Sequence, residues 1–152
     1  MRPKAHIFYG TIAAIVLYFL GISPVELFLF WISSWLLIDT DHFIYTSISK
    51  KTVNPLKIIM GTFRESKIRT GLSKKKSEIY KYPIFAFHNI ETLILIFILA
   101  LFYNIAYFAL AGFLFHLSLD YIQLILRGRH FLSKTSIIYV VLRNKNKKRL
   151  VF

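Results

Sequence analysis

Residues 83–126 read PIFAFHNIETLILIFILALFYNIAYFALAGFLFHLSLDYIQLIL and contain no lysine or arginine. A helix rises about 1.5 Å per residue, so about 20 apolar residues cross the hydrocarbon core of a bilayer. This stretch is long enough for two crossings, and Asn104 is the polar point between them. We therefore expect transmembrane spans at about 83–103 and 104–126, joined as a hairpin.

A second pair of apolar stretches lies near the start of the chain. Residues 5–22 hold no acidic or basic side chain apart from His6, and residues 24–45 follow a break at Gly21-Ile22. Ser23-Pro24-Val25-Glu26 is typical of a helix start with a capping box. A cleaved signal peptide is the alternative for residues 5–22, but no Ala-x-Ala-like site follows them. The predicted fold is all-α, an integral membrane four-helix bundle made of two transmembrane hairpins.

The composition agrees with a membrane protein. Apolar residues make up 56% of the 152 residues and charged residues 18%, against about 45–50% and about 25% in soluble domains. A net charge of +13 would by itself suggest a nucleic-acid-binding protein. The absence of cysteine excludes disulfides, thiolate metal sites and a cysteine nucleophile.

The basic residues are confined to three segments, which argues against a specific nucleic-acid surface. They lie at the N-terminal tip, in a central segment at 46–82 and in a tail at 127–152, and the short turns at Ile22 and Asn104 have none. Lysine and arginine that flank spans are retained on the cytoplasmic side. We therefore expect a multi-pass protein of the cell membrane, with the four-span domain at 1–126 and both termini cytoplasmic.

The central segment is predicted to include an amphipathic cytoplasmic helix. Asn54-Pro55 can start a helix, and apolar residues recur at helical spacing among lysines and arginines, at Leu56, Ile59, Met60 and Phe63. Such a helix lies in the headgroup layer, so anionic lipid is the expected partner, and the lysine loop at 74–76 is expected to face solvent or lipid phosphate. In the tail, residues 137–142 are compatible with a strand or an interfacial helix.

Ionisable side chains inside the spans are the candidates for function, because they are costly in hydrocarbon. With the orientation above, all of them except Glu26, which the helix cap explains, fall in the cytoplasmic half of the membrane: His6, Asp39, Asp41, His42, His88, Glu91, His116 and Asp120. His130 lies beyond the spans and is expected at the interface. Hydropathy locates these residues within the spans, and the distribution of basic residues independently orients the spans. Together the two observations predict one cluster.

Spacing along the helices supports a shared site. His116 and Asp120 are four residues apart and lie on one helix face, where Gly112 lets a neighbouring backbone approach. A regular helix turns by about 100° per residue, so Asp41 points well away from Asp39 and the two carboxylates cannot bind one ion. Either the helix unwinds between them or one of them orients a ligand.

Imidazole and carboxylate without thiolate suit Zn²⁺, Mn²⁺ or Fe²⁺ at an enzymatic site, and zinc is the expected metal. One or two ions would make water a nucleophile near neutral pH. The predicted ligands are His6, Asp41, His42, His88, His116 and Asp120, with Asp39 as a further ligand or a catalytic carboxylate. Glu91 is the preferred general base. The alternatives are a haem-binding bundle, a cation or proton pathway and a lipid-binding scaffold.

The ordered motifs resemble the YdjM-like inner-membrane proteins, which are predicted metal-dependent hydrolases distantly similar to zinc-dependent phospholipases C. The matching motifs are His-x-x-x-Gly at His6 and Gly10, Asp-x-Asp-His at Asp39, Asp41 and His42, the third-span His88, and His-x-x-x-Asp at His116 and Asp120.

This resemblance covers residues 6–120 and not the tail. Many members carry a His-Arg pair about five residues before the third-span histidine, where this chain has Pro83 and Ile84. The resemblance implies a membrane-bound metal-dependent hydrolase. The basic segments suggest a phosphoester or lipid headgroup at the cytoplasmic face as its substrate.

Overall fold

The computed structural model describes residues 3–72, 79–126 and 136–148. Within these ranges the chain is helical and forms no strand. The helices are α1 (Pro3–Phe19), α2 (Pro24–Ile32), a π-helical turn (Ser33–Leu37), α3 (Ile38–Lys50), α4 (Pro55–Gly71), α5 (Ile90–Phe102), α6 (Ala106–Leu126) and α7 (Ile137–Asn144). The all-α prediction is confirmed. The lysine loop at 74–76 lies outside the described ranges, and so do residues 127–135, which include His130, and residues 149–152 of the predicted tail.

The first hairpin joins α1 to α2 at the predicted break. Gly21 takes a positive φ of 85° between the two helices, a conformation that glycine adopts without strain. The Glu26 carboxylate accepts hydrogen bonds from the Ser23 N–H at 3.0 Å and from the Ser23 hydroxyl at 2.6 Å, and Pro24 occupies the first turn. The predicted helix start at Ser23 is therefore confirmed.

The second long helix is continuous but not uniform. From Pro24 to Lys50 the chain stays helical over 27 residues, with the π-helical turn between α2 and α3. Such turns are rare and often occur at functional sites. The helix does not unwind at Thr40, whose hydroxyl donates to the Leu36 carbonyl at 2.8 Å inside it.

The second hairpin consists of α5 and α6. Helix α5 begins at Ile90 and not at Pro83, because Asn89 caps it by accepting from the Thr92 N–H at 2.9 Å. Residues 81–89 before it are irregular. The turn at Asn104 is confirmed, since α5 ends at Phe102 and α6 starts at Ala106.

Two of the described helices are long and apolar enough to cross a membrane, Pro24–Lys50 and Ala106–Leu126. Two more are apolar but shorter, Ala5–Phe19 and Ile90–Phe102. The arrangement of four full spans therefore stays a prediction.

The interior of the bundle is polar and its exterior apolar. Helix α6 packs against α1, α2, the π-helical turn and α5, and a small apolar core forms around Ile38, Phe113 and Leu117. Buried polar side chains lie beside this core, including Ser33, Ser34, Thr46 and most of the predicted site residues. Large apolar side chains such as Phe19 and Leu126, both 81% exposed, face outward.

Two further helices lie beside the bundle. Helix α4 is capped by Asn54, whose side-chain oxygen accepts from the Lys57 N–H at 3.2 Å, and the helix packs on α3. Its predicted apolar residues are exposed, among them Leu56 and Met60 at 71% each. Helix α7 covers residues 137–144, so the structure favours the helix over the strand for residues 137–142.

Candidate metal centre

The structure brings seven of the predicted site residues into one cluster. They form three overlapping groups whose ligand atoms lie within 4.8 Å of one another: His6, His116 and Asp120; Asp39, His88 and His116; Asp41, His42 and His88. Helices α1, α3 and α6 and the irregular segment before α5 supply them. The cluster predicted from hydropathy and spacing is therefore present.

Close helix packing allows α1 and α6 to meet the π-helical turn. A Cβ added to Gly112 would lie 2.5 Å from the Phe30 carbonyl oxygen and 2.8 Å from the Ser33 Cβ, and one added to Gly10 would lie 2.5 Å from the Ser34 hydroxyl. The close approach predicted at Gly112 is confirmed. Both glycines stand one helical turn from a histidine of the cluster.

His116 is oriented by the main chain of the π-helical turn. Its Nδ1 lies 2.9 Å from the Ser34 carbonyl oxygen, which only accepts hydrogen bonds, so Nδ1 carries the proton and Nε2 the lone pair. That Nε2 is buried and hydrogen-bonds to no group in the described part of the chain. It faces the carboxylates of Asp39 and Asp120, each at 3.7 Å.

Asp120 faces the Nε2 atoms of two stacked imidazoles. The rings of His6 and His116 are parallel within 8°, with centroids 3.8 Å apart. The Oδ1 of Asp120 lies 3.4 Å from His6 Nε2, and its Oδ2 lies 3.7 Å from His116 Nε2 and 3.8 Å from His88 Nε2. All four side chains are almost fully buried.

The two aspartates of α3 have different partners. Asp41 Oδ2 accepts from the Phe87 N–H at 2.9 Å and lies 3.0 Å from His88 Nδ1. Asp39 Oδ1 instead faces three Nε2 atoms, of His42 at 3.6 Å, His88 at 3.5 Å and His116 at 3.7 Å. Asp41 therefore stands behind His88, as an orienting carboxylate does, while Asp39 points into the cluster.

The spacing of these atoms fits ligands around a metal ion. The six contacts between Nε2 and carboxylate oxygen span 3.4–3.8 Å, longer than the 2.7–3.2 Å of an N–H···O hydrogen bond. Bonds of about 2.0–2.2 Å to a tetrahedral ion place neighbouring ligands about 3.3–3.6 Å apart, so three of the six contacts lie in this range and the other three, at 3.7–3.8 Å, are slightly longer. The donor set is imidazole and carboxylate, which suits a divalent transition metal.

Glu91 lies outside the cluster. Its Oε1 accepts from the Ser136 hydroxyl at 2.6 Å and from the Ile138 N–H at 3.4 Å, so it contacts the start of α7. None of the three candidate ligand groups includes it. Its contacts give no support to the expected role as general base.

Two features of the site have little or no signal in the sequence. The Ser34 carbonyl and the π-helical turn that presents it cannot be read from residue types. The contact of Glu91 with α7 joins residues far apart in the chain and has no local signature either. By contrast, the start of α5 has a readable signal, because Asn89 precedes Ile90 and Glu91 as an N-cap does.

Comparison of the chain with known protein families, with curated proteins and with solved structures gives no match. The site therefore has to be interpreted from its own geometry.

Proposed function

We propose that this chain is a multi-pass protein of the cell membrane whose cluster opens toward the cytoplasm. The support is the combination of a polar interior with an apolar exterior, of two helical hairpins, and of basic residues that avoid the short turns at Gly21 and Asn104. In this orientation the N-terminus, α4 and α7 are cytoplasmic. The shorter helices α1 and α5 complete the four spans with their flanking apolar residues.

The cluster binds a divalent cation, with zinc as the metal that best suits buried imidazole and carboxylate donors. His116 and Asp120 are ligands, with His6 and His88 beside them. Of the two α3 aspartates, Asp41, expected as a ligand, instead orients His88, and Asp39 faces the bound ion. When bound, such a cation supplies Lewis acidity and makes a water molecule a nucleophile near neutral pH.

The reaction is hydrolysis of a phosphoester, with Asp39 as the general base. Among the carboxylates of the cluster Asp39 is the most exposed, at 17% against 4% for Asp41 and 2% for Asp120. It accepts a proton from the attacking water, whose oxygen bonds to phosphorus while the bond to the leaving alcohol breaks. The departing oxygen takes up the proton. His42, 29% exposed, lies on the same rim.

The substrate is an anionic lipid headgroup. The basic segments at 46–82 and 127–152 lie on the predicted cytoplasmic face. Helix α4 in the first of them exposes apolar side chains that suit the headgroup layer. Lysine and arginine at this depth attract anionic lipids. A phosphoester held in the headgroup layer lies close to the exposed rim formed by Asp39 and His42.

A single observation supports this proposal most strongly: four imidazole Nε2 atoms face two carboxylates at 3.4–3.8 Å. A haem would need two imidazoles on opposite faces of a porphyrin. Here His6 and His116 stack directly on each other, and the Asp39 carboxylate faces the Nε2 atoms of both His42 and His88. A metal-dependent hydrolase fits this arrangement better than a haem-binding bundle does.

The test uses full-length protein extracted with detergent from the membrane fraction. Elemental analysis should find about one or two zinc ions per chain, and His116→Gln should weaken zinc binding by more than about tenfold. Vesicles of phosphatidylglycerol or phosphatidic acid should be hydrolysed, and Asp39→Asn should lower kcat by about 10²–10⁴-fold.

Glu26→Gln is the control, because Glu26 caps α2 far from the cluster in the chain. It should keep both metal and activity. Wild-type protein that holds no transition metal, or His116→Gln protein that keeps the full amount, would refute the metal site. Metal-loaded protein with no activity on either vesicle would refute the proposed hydrolysis of anionic lipid.

A further inference from the structure

The segment that presents His88 has little structure of its own. Residues 81–85 are irregular and residues 86–89 are bends, whereas the other histidines of the cluster lie on helices. Backbone donors and acceptors in such a segment need partners from elsewhere in the chain. The partners of the residues before His88 therefore decide how well that ring is placed.

The outer part of this segment is bound by residues near the C-terminal end of α7. Lys81 N–H donates to the Lys148 carbonyl at 2.8 Å, and Lys148 N–H donates to the Ile79 carbonyl at 3.1 Å. Arg143 Nη1 donates to the Tyr80 carbonyl at 2.9 Å. These bonds join the segment before His88 to the last turn of α7 and to the residues that follow it.

Asn144 forms the most specific of these contacts. Its Oδ1 accepts from the Tyr82 N–H at 2.9 Å and its Nδ2 donates to the Tyr82 carbonyl at 2.8 Å. One amide side chain thus pairs with both main-chain groups of Tyr82, as a neighbouring strand would. The Arg143 guanidinium also lies over the Tyr82 ring, 3.5 Å from its centroid, an arrangement that attracts the cation to the ring face.

The inner part of the segment is covered by the start of α7. Ser136 donates to Glu91 at 2.6 Å, and Val140 is 3% exposed. Val140 and Ser136 line a small cavity together with Phe85 and His88. Helix α7 therefore lies directly over the residue that enters the cluster.

We propose that residues 136–148 are a positioning element for His88, with Asn144 and Glu91 as its two attachment points. They act on the metal through His88: Asn144 fixes the backbone before it, and Glu91 holds α7 against its segment. The proposal rests on the proposed metal site, and it gives the C-terminal segment, which the family resemblance does not cover, a part in forming it. Glu91 then has a positioning role.

The experiment measures Co²⁺ binding to full-length metal-free protein in detergent, by the visible ligand-field bands of the ion. Asn144→Ala should weaken Co²⁺ binding by about tenfold or more and change the intensity of the bands, because one imidazole is no longer held in place. Asn146→Ala is the matched control, since Asn146 is exposed and two residues further along. It should match wild type in both affinity and spectrum.

Ser136→Ala, which removes the donor to Glu91 at the other attachment point, should shift binding in the same direction. If Asn144→Ala yields no folded protein, this variant decides. Unchanged affinity and spectrum in the folded variants would overturn the positioning role while leaving the metal site intact. Equal losses in Asn144→Ala and Asn146→Ala would overturn it as well. A wild-type protein that binds no Co²⁺ would instead refute the proposed metal site.

Discussion

His116 and His88 reach the same cluster from two different kinds of backbone. His116 lies in the middle of α6 and is oriented by the Ser34 carbonyl. His88 lies in an irregular segment and is oriented by the Asp41 carboxylate. A main-chain carbonyl cannot be removed by a side-chain substitution, but a carboxylate can. A substitution of the orienting side chain should therefore disturb His88 directly, whereas His116 should be disturbed only by a change in helix packing.

The largest effect is expected where orientation depends on a side chain. Asp41→Asn keeps the size of the side chain but removes its charge, so the hydrogen bonds that Asp41 Oδ2 accepts from the Phe87 N–H and His88 Nδ1 lose their charge assistance. Loss of an orienting carboxylate lowers metal affinity by about 10–100-fold. Zinc competition with a chelator in detergent measures this change.

Glu26→Gln is again the control for a carboxylate changed to an amide, and its zinc affinity should stay at the wild-type value. Wild-type affinity in Asp41→Asn would mean that His88 is held without the carboxylate. The contrast between the two histidines would then be wrong.

An intermediate effect is expected where orientation depends on helix packing. Gly112→Ala places a Cβ 2.5 Å from the Phe30 carbonyl oxygen and 3.1 Å from the Ser34 nitrogen, so α6 must move away from the π-helical turn. Overpacking of this kind destabilises a protein by about 1–3 kcal/mol. It should also weaken zinc binding, because it lengthens the hydrogen bond from His116 Nδ1 to the Ser34 carbonyl oxygen.

Gly71→Ala provides the control, because a Cβ there has nothing within 4 Å. Unfolding in detergent should show a lower free energy of unfolding for Gly112→Ala alone. Equal stability of the two variants would mean that the close approach of α6 is not tight, and that His116 is fixed by something other than packing.

The elements that the sequence predicts well are those whose cause is local. The capping box at Ser23, the helix start at Asn54 and the turn at Asn104 all depend on residues within one helical turn. The π-helical turn has no such signal. The predicted start of the third span at Pro83 lies earlier than the start of α5 at Ile90, because the apolar and aromatic residues between Pro83 and Asn89 suit a span as well as an irregular segment packed inside a protein.

Membership of the cluster was predictable for every residue except Glu91, and the roles within it were not. Polar groups in apolar helices must share an interior, so spacing and orientation were enough to group the histidines with Asp39, Asp41 and Asp120. The difference between the two α3 aspartates depends on where the irregular segment with His88 lies. The partner of Glu91 depends on the position of α7, whose contacts with residues 80–91 join parts of the chain as many as 63 positions apart.

The smallest effect is expected at Glu91, and it separates positioning from catalysis. Glu91→Gln retains a carbonyl oxygen that can still accept from Ser136 and Ile138, so α7 should stay in place and zinc binding should be unchanged. A general base contributes at least about 100-fold to kcat, and its removal would be obvious in hydrolysis of anionic vesicles. We expect Glu91→Gln to change kcat by far less than this, whereas Asp39→Asn should show the full loss. A Glu91→Gln protein with normal zinc content and a 100-fold lower kcat would make Glu91 the base after all, and α7 would then cover a catalytic carboxylate.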